Sequence, residues 1–257
     1  MSDGSSLPTP SDETSLDRIR ELTTARLFLG RSGLGYRTAT QLELRTDHAA
    51  ARDAVQSEFV LARDFSQALI EKYQLLGVES QAETREEFLR RPDLGRRVSM
   101  GSRQLIVHHL PGDKTVQVAI GDGLSAESVR RQCPELLPRL MDAIAAREWT
   151  SGPVLCIRHC RVGVMNDIGD LLRPQVVILL IGERPGLMTA ESLSAYLAYR
   201  PKAGDTDAQR NLISNIHSRG VSIEAAVVRI VALVDEMLRQ GRSGYEVKES
   251  LPPPRFG

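Results

Sequence analysis

The sequence predicts an α/β protein in which a doubly wound parallel sheet follows a mainly helical N-terminal region. Three apolar segments after residue 110 indicate strands: Val116–Ile120, Val154–Arg158 and Gln175–Ile181. Loops and helical patterns separate them, and the order strand, loop, helix, repeated, is typical of a parallel sheet with helices on its faces. From Val176 to Ile181 the third segment is apolar at every position. Both faces of this strand are therefore apolar, as in buried parallel strands.

The chain has 257 residues, enough for one α/β domain with additions. Residues 1–15 are rich in Ser, Pro, Thr and Asp and are predicted to be disordered. Residues 16–110 are predicted to be mainly helical, and 111–245 to form the sheet domain. A short tail, 246–257, completes the chain.

Helices are predicted from apolar spacing and from end signals. The first runs from Leu16 toward Phe28, and a long helical stretch covers Thr38–Tyr73. Within the sheet domain the predicted helices are Pro134–Arg147, Asn166–Leu172 and Ser222–Arg239, the last of them ended by a glycine.

Composition excludes several classes of protein. Lys+Arg and Asp+Glu both number 33, which gives a net charge of +0 and no electrostatic reason to expect nucleic acid or an anionic membrane as partner. No apolar run approaches the roughly twenty residues that span a bilayer. An odd number of cysteines, 3, argues against a disulfide framework, and the first residues lack the pattern of a signal peptide. A cytoplasmic protein is expected.

Two loops after predicted strands are candidate ligand sites, because ligands of open α/β sheets bind beyond the carboxyl ends of the strands. In the loop Gly121–Ser125, Asp122 and Ser125 offer hydrogen-bonding groups, although Ser125 is equally interpreted as the cap of the next helix. In Gly182–Gly186, the pair Glu183 and Arg184 leaves the most apolar strand of the chain. A solvent-facing turn is the alternative there.

No catalytic set and no metal site are predicted. Cys156 and Cys160 are placed on one strand with His159 between them, and packing is the favoured interpretation because a second group of ligands is missing. The segment Asn215–Gly220 approaches an Asp-x-His-x-x-Gly pattern of cobalamin-binding proteins. It has Asn where the pattern has the carboxylate that orients histidine, so His217 is interpreted as structural.

A family resemblance rests on longer motifs. The segments are VVILLIGERPG at 176–186, ESLS at 191–194, AYRP at 198–201 and RNLISNIH at 210–217, with further matches at 91–97, 122–125 and 47–48. Together they resemble the small subunit of ethanolamine ammonia-lyase over nearly the whole chain after the predicted disordered start.

The resemblance implies a lyase of ethanolamine catabolism that converts ethanolamine to acetaldehyde and ammonia by a radical mechanism with adenosylcobalamin. It implies that a barrel-shaped large subunit holds the substrate, while this chain covers the other side of the corrin with a Rossmann-like domain. It also implies that cobalamin keeps its own dimethylbenzimidazole as lower ligand (base-on). Six copies of each chain are expected in the hetero-oligomer. A stand-alone cobalamin- or nucleotide-binding carrier without catalytic activity is the alternative.

The family's cofactor contacts fall on Val162, on Glu183 and on Leu212 in this sequence. Some relatives have cysteine at the third position, so a backbone or apolar contact is expected from Leu212. The N-terminus looks shorter than in relatives that are packed into bacterial microcompartments, which leaves encapsulation open beside a free cytoplasmic location.

Overall fold

The computed structural model describes residues 18, 19, 27, 31–186 and 189–250. The predicted disordered segment, residues 1–15, and most of the predicted first helix, Leu16–Phe28, lie outside the described residues, as do residues 251–257 at the end of the predicted tail.

Eight strands are found among the described residues. A two-stranded hairpin comes first, and the other six strands form one sheet in the order β3-β5-β4-β6-β7-β8. The strands are β1 (Arg31–Ser32), β2 (Gly35–Tyr36), β3 (Leu76–Glu79), β4 (Val116–Gly121), β5 (Leu155–Arg158), β6 (Val176–Gly182), β7 (Leu193–Tyr199) and β8 (Asn211–Ile216).

Eight α-helices are found in the same described part of the chain. They are α1 (Thr38–Gln56), α2 (Leu61–Asp64), α3 (Gln67–Lys72), α4 (Arg85–Arg90), α5 (Met100–His109), α6 (Ala126–Ala145), α7 (Val164–Leu172) and α8 (Ile223–Gln240). The N-terminal part therefore contains short helices, but it also contains β3, which pairs with β5 and forms one edge of the sheet. β3 is not among the strands that the sequence predicts.

The sheet is mixed, which corrects the predicted wholly parallel sheet. Strands β3, β5, β4 and β6 are parallel to one another, as predicted for the last three. Strands β7 and β8 were not predicted, and they extend the sheet in antiparallel orientation. No helix separates β6 from β7 among the described residues, so the chain turns back directly beside β6.

Both faces of the sheet are buried, because alternate strand residues enter two different apolar clusters. One cluster joins β4, β6 and β7 to α6 and α8. The second joins the opposite face to α5 and α7. Representative members are Ile120, Leu180, Leu136 and Ile230 on the first face and Ala119, Leu179, Ile106 and Ile168 on the second. The continuous apolar pattern of β6, all of it buried, follows from this two-sided burial.

Two predicted helices have different bounds. The stretch Thr38–Tyr73 is divided into α1, α2 and α3, because the chain becomes extended at Ser57 and again at Phe65. Phe59 and Phe65 are buried there in an edge-to-face contact. The helix predicted at Pro134–Arg147 begins eight residues earlier, at Ala126. Its interior prolines are tolerated because the apolar face around them is buried against the sheet.

The last helix agrees with the prediction. The Ser222 hydroxyl accepts a hydrogen bond from the Ala225 amide at the start of α8, and Gly241 ends the helix in a left-handed conformation. Within residues 31–186 and 189–250, none of the helices is long and apolar enough to cross a membrane.

Candidate functional site

The carboxyl ends of β4, β5 and β6 meet at one edge of the sheet. Gly121 is in register with Ile157 on one side and with Ile181 on the other. The loops that follow these strands are therefore neighbours, and the Leu124 amide donates to the Gly182 carbonyl between two of them at 3.1 Å. This edge is where an open α/β sheet is expected to bind a ligand.

A cavity of about 430 Å³ opens at this edge. It is lined by residues of the three loops together with side chains from β7 and β8. Of the predicted site residues, Val162, Glu183, Arg184 and Leu212 lie in its wall. They come from three separate parts of the sequence, so the fold brings together positions that the chain keeps up to fifty residues apart.

The Glu183 carboxylate is held by three donors. Its Oε1 accepts from the Ser194 hydroxyl at 2.5 Å and from the backbone amide of Asn215 at 2.9 Å. Its Oε2 accepts from the Ser192 hydroxyl at 2.7 Å. Hydrogen bonds to a charged acceptor are stronger than neutral ones, so these three fix the direction of the carboxylate. About one lone-pair position remains for a ligand donor, since an ionised carboxylate has about four.

The rest of the cavity wall combines apolar surface with a few polar groups. Leu212 is 46% exposed although it is a large apolar side chain. Val162 and Tyr196 are half-buried beside it, and burial raises the pKa of Tyr196, with the nearby acidic groups as smaller causes. Arg184 is exposed at the rim. An exposed leucine and a half-buried valine next to fixed hydrogen-bonding groups suit a large ligand with a flat apolar body and a polar edge.

Asp122 lies behind the cavity and does not line it. Its carboxylate is fully buried, pairs with the Arg85 guanidinium at 3.2 Å, and accepts from the Cys160 amide at 2.9 Å. Arg85 also donates to the Gly123 carbonyl at 2.9 Å. Burial raises the pKa of Asp122, and the charge of Arg85 opposes that rise. Asp122 thus connects the loop after β4 to the loop after β5.

Ser125 is likewise buried behind the cavity. Its hydroxyl accepts from the Ser128 amide at 3.3 Å, which caps α6, and donates to the Ala190 carbonyl at 2.6 Å. Of the two interpretations that the sequence left open, this geometry matches the helix cap.

Several residues of the cavity were not predicted from the sequence, including Arg161, Ser194 and Tyr196. A signal was present, because Ser192, Ser194 and Tyr196 recur at every second position and therefore share one face of a strand. Recognising β7, with Ser192 directly before it, would have placed all three beside Glu183.

The histidine and cysteine positions do not form a metal site in the part of the chain that the structure describes. β5 ends at Arg158, so His159 and Cys160 are not on the strand as the sequence suggested, and His159 has a left-handed backbone. His217 is 8% exposed, and its Nδ1 accepts from the Arg219 amide at 3.3 Å.

The fold and this cavity define an α/β protein with a candidate ligand site at the carboxyl edge of a mixed sheet. Residues 13–248 match the family model described as ethanolamine ammonia-lyase light chain (EutC). The chain therefore belongs to the family of ethanolamine ammonia-lyase small subunits.

Individual relatives agree with the family match. An ethanolamine ammonia-lyase small subunit of Pseudomonas putida is 40% identical over 244 residues, which are 94% of this chain and 90% of the relative. One of Clostridium perfringens is 38% identical over 239 residues, covering 93% of this chain and 79% of the relative. One of Listeria monocytogenes is 36% identical over 242 residues, with 94% and 80% covered.

Proposed function

We propose that this chain is the small subunit of an adenosylcobalamin-dependent ethanolamine ammonia-lyase and that the cavity holds one face of the cofactor. The observation that carries the proposal is the meeting of Val162, Glu183 and Leu212 in one wall. Family resemblance predicted cofactor contacts at these three positions from the sequence alone, where they are far apart.

The residues of the cavity fit such a cofactor. A corrin is a flat macrocycle with an apolar body and amide groups around its edge, and it is much larger than 430 Å³. The cavity would therefore contact only part of it, with Leu212 and Val162 against the ring and Glu183 accepting from an edge amide. The remainder of the cofactor is left for a second chain, in agreement with a site shared with the large subunit.

When bound, the cofactor supplies an adenosyl radical that initiates the conversion of ethanolamine to acetaldehyde and ammonia. The residues of this chain contribute binding and orientation. Glu183 presents a carboxylate whose direction is fixed by Ser192, Ser194 and Asn215. Asp122 and Ser125 hold the loops in place from behind. Substrate binding is assigned to the large subunit, in a complex with six copies of each chain.

We also propose that the complex works in the cytoplasm. Whether it is free or enclosed in a bacterial microcompartment is decided by fractionation of cells grown on ethanolamine. Sedimentation of this chain with shell proteins is expected only in the enclosed case.

Reconstitution tests the proposed function. This chain and the large subunit are purified separately, and ethanolamine deamination is measured with adenosylcobalamin for each chain alone and for the mixture. Activity is expected only when both chains and the cofactor are present. Full activity of the large subunit alone, or binding of cobalamin by this chain with no effect on any large subunit, would favour the carrier alternative instead.

A further inference from the structure

Phe88 on α4 is fully buried, yet it belongs to neither of the two apolar clusters of described residues that cover the sheet. Its ring contacts charged and polar side chains instead. The guanidinium carbons of Arg85 and Arg161 lie over the ring, 4.9 Å and 4.3 Å from its centre. The His159 ring is stacked against it, with 5.8 Å between the ring centres and 23° between the planes. The function proposed above makes no use of this aromatic side chain.

Two of the three neighbours of the ring, His159 and Arg161, belong to the loop that follows β5. The next residue of that loop, Val162, lines the cavity. Phe88 itself is not part of the lining, so it acts on a ligand in the cavity only through the residues that it holds.

The loop after β5 is packed closely against the segment that contains Phe88. The Arg161 amide donates to the Gly95 carbonyl at 2.8 Å, and the Arg161 guanidinium donates to the Phe88 carbonyl at 3.4 Å. Nδ1 of His159 donates to the Ala82 carbonyl at 2.9 Å. A Cβ atom at Gly95 would lie 2.8 Å from the Phe88 ring and 2.9 Å from the His159 carbonyl oxygen. The glycine therefore permits the approach of ring and loop.

Hydrogen bonds do not fully fix the three side chains around the ring. One buried nitrogen of each has no hydrogen-bond partner among the described residues: His159 Nε2, Arg161 Nε and Arg85 Nη2. What the three side chains share is the contact with Phe88. Stacking on an aromatic ring and the attraction of a cation to its face both depend on geometry, so the ring restricts the positions that these groups adopt.

Resting on the cofactor proposed above, we infer that Phe88 is a positioning residue for cofactor binding. Its ring orders the loop after β5 and so holds Val162 in the cavity wall. A wall that is already ordered loses less conformational freedom when a ligand binds. Without the ring only a fraction of the molecules has the loop in place, and the apparent affinity falls by that fraction. The loss is therefore expected in cofactor affinity and not in the steps that follow binding.

Phe88→Leu in the complex with the large subunit tests this role, because it keeps an apolar side chain and removes the ring. Binding of adenosylcobalamin to the apo-complex is followed by absorbance. We expect the affinity to fall by about three- to tenfold, whereas kcat at saturating cofactor and the Michaelis constant for ethanolamine stay as in the wild type. Without cofactor, hydrogen exchange of residues 159–163 should be faster in the variant, because the loop opens more often.

Phe65→Leu is the matched control. Phe65 is also a buried phenylalanine, 4% exposed, but it packs edge-to-face on Phe59 and does not line the cavity. It should lower the midpoint of thermal unfolding while cofactor affinity and exchange of residues 159–163 stay as in the wild type. Phe88→Met is the milder second variant, since a flexible side chain fills the space without a ring face. The same loss of affinity is expected from it.

The outcomes separate this role from the proposed function. Wild-type cofactor affinity in a folded Phe88→Leu or Phe88→Met complex overturns the positioning role and leaves the proposed function intact. An equal loss in Phe65→Leu also overturns it, because general stability then explains the effect. Failure of both Phe88 variants to fold overturns it as well, since Phe88 then supports the whole fold. If the wild-type complex binds no adenosylcobalamin, the proposed function itself is wrong.

Discussion

Arg85 and Asp122 form a buried ion pair, 3.2 Å between Nη1 and Oδ2, directly behind the loops that line the cavity. Their side chains are 5% and 0% exposed. Through this pair α4 is connected to the loop after β4, and through the Cys160 amide the same carboxylate reaches the loop after β5. The position of the cavity wall thus depends on an ion pair that does not itself line the cavity.

Asp122→Asn should therefore destabilise the protein strongly. Asparagine retains an oxygen for the Cys160 amide but leaves the buried Arg85 without its counter-charge. Removing one partner of a buried pair costs about 3–5 kcal/mol. Urea unfolding of the wild type and the variant measures the difference, and the double variant Arg85→Met/Asp122→Leu should recover part of it. A change of under about 1 kcal/mol in Asp122→Asn, the scale of an exposed pair, would contradict this assignment.

The variant Ser125→Ala tests whether Ser125 caps α6 or contacts the cofactor. Loss of an N-cap hydroxyl costs about 1 kcal/mol, and the bond to the Ala190 carbonyl is lost as well. We expect a lower midpoint of thermal unfolding and unchanged affinity of the assembled complex for adenosylcobalamin. Weaker cofactor binding at full stability would instead identify Ser125 as a ligand contact.

The sequence predicted three of the four parallel strands because β4, β5 and β6 are buried on both faces, and largely apolar segments are a strong signal. It failed for β7 because Ser194 and Tyr196, with Ser192 just before the strand, make one face polar. These polar residues lie at the candidate site, where two of them donate hydrogen bonds to Glu183. The strand pattern is therefore irregular at the position of the site.

The separate loops of the candidate site were predictable, since each follows a strand or carries a family motif. Their hydrogen-bonding partners were not. Arg85 is 37 positions from Asp122, and nothing in the local sequence of either residue indicates the other. The start of α6 was predicted at Pro134 because proline is a typical first residue of a helix. In the structure Pro134 lies inside the helix, which begins at Ala126.

The three thiols should be unreactive in the native protein. Cys133, Cys156 and Cys160 are at most 1% exposed, and burial raises the pKa of each thiol. The thiolate is the reactive form, so a disulfide reagent at pH 8 should label none of them until the protein is unfolded, when all three should react. Labelling of the folded protein at the rate of a free thiol would contradict this burial.

The same pKa shifts predict lower stability at alkaline pH. A thiol whose pKa is raised by folding contributes its full stability below the unfolded value of 9.0, because both states are then protonated. Above that pH the unfolded thiols ionise first, and the free energy of unfolding should fall. Cys133→Ala, measured beside the wild type, should show a smaller decrease between pH 8 and 10.

His217 should not become the lower ligand of cobalt. Its Nδ1 is engaged by the Arg219 amide, the side chain is packed against Gly220, and Asn215 offers no carboxylate to orient it. Electron paramagnetic resonance of the cob(II)alamin complex, with protein labelled uniformly with nitrogen-15, tests this. The three-line splitting from the cofactor's own base should persist, whereas a two-line pattern would mean that a protein histidine is bound.

Glu183 is expected to contribute more to cofactor binding than any other single side chain of the cavity. Its carboxylate is fixed by Ser192, Ser194 and the Asn215 amide, so a donor on the corrin edge meets an acceptor that is already oriented. Glu183→Ala should weaken adenosylcobalamin binding by about ten- to a hundredfold, as the loss of charge-assisted hydrogen bonds predicts, and Glu183→Gln by less.

The double variant Ser192→Ala/Ser194→Ala distinguishes charge from orientation, because it keeps the Glu183 carboxylate and removes two of its three donors. We expect affinity between that of the wild type and that of Glu183→Ala. Titration of the assembled complexes with adenosylcobalamin provides the measurement, and the Michaelis constant for ethanolamine at saturating cofactor should change little, since the substrate is assigned to the partner. If a folded and assembled Glu183→Ala complex binds the cofactor as the wild type does, Glu183 is not part of the site.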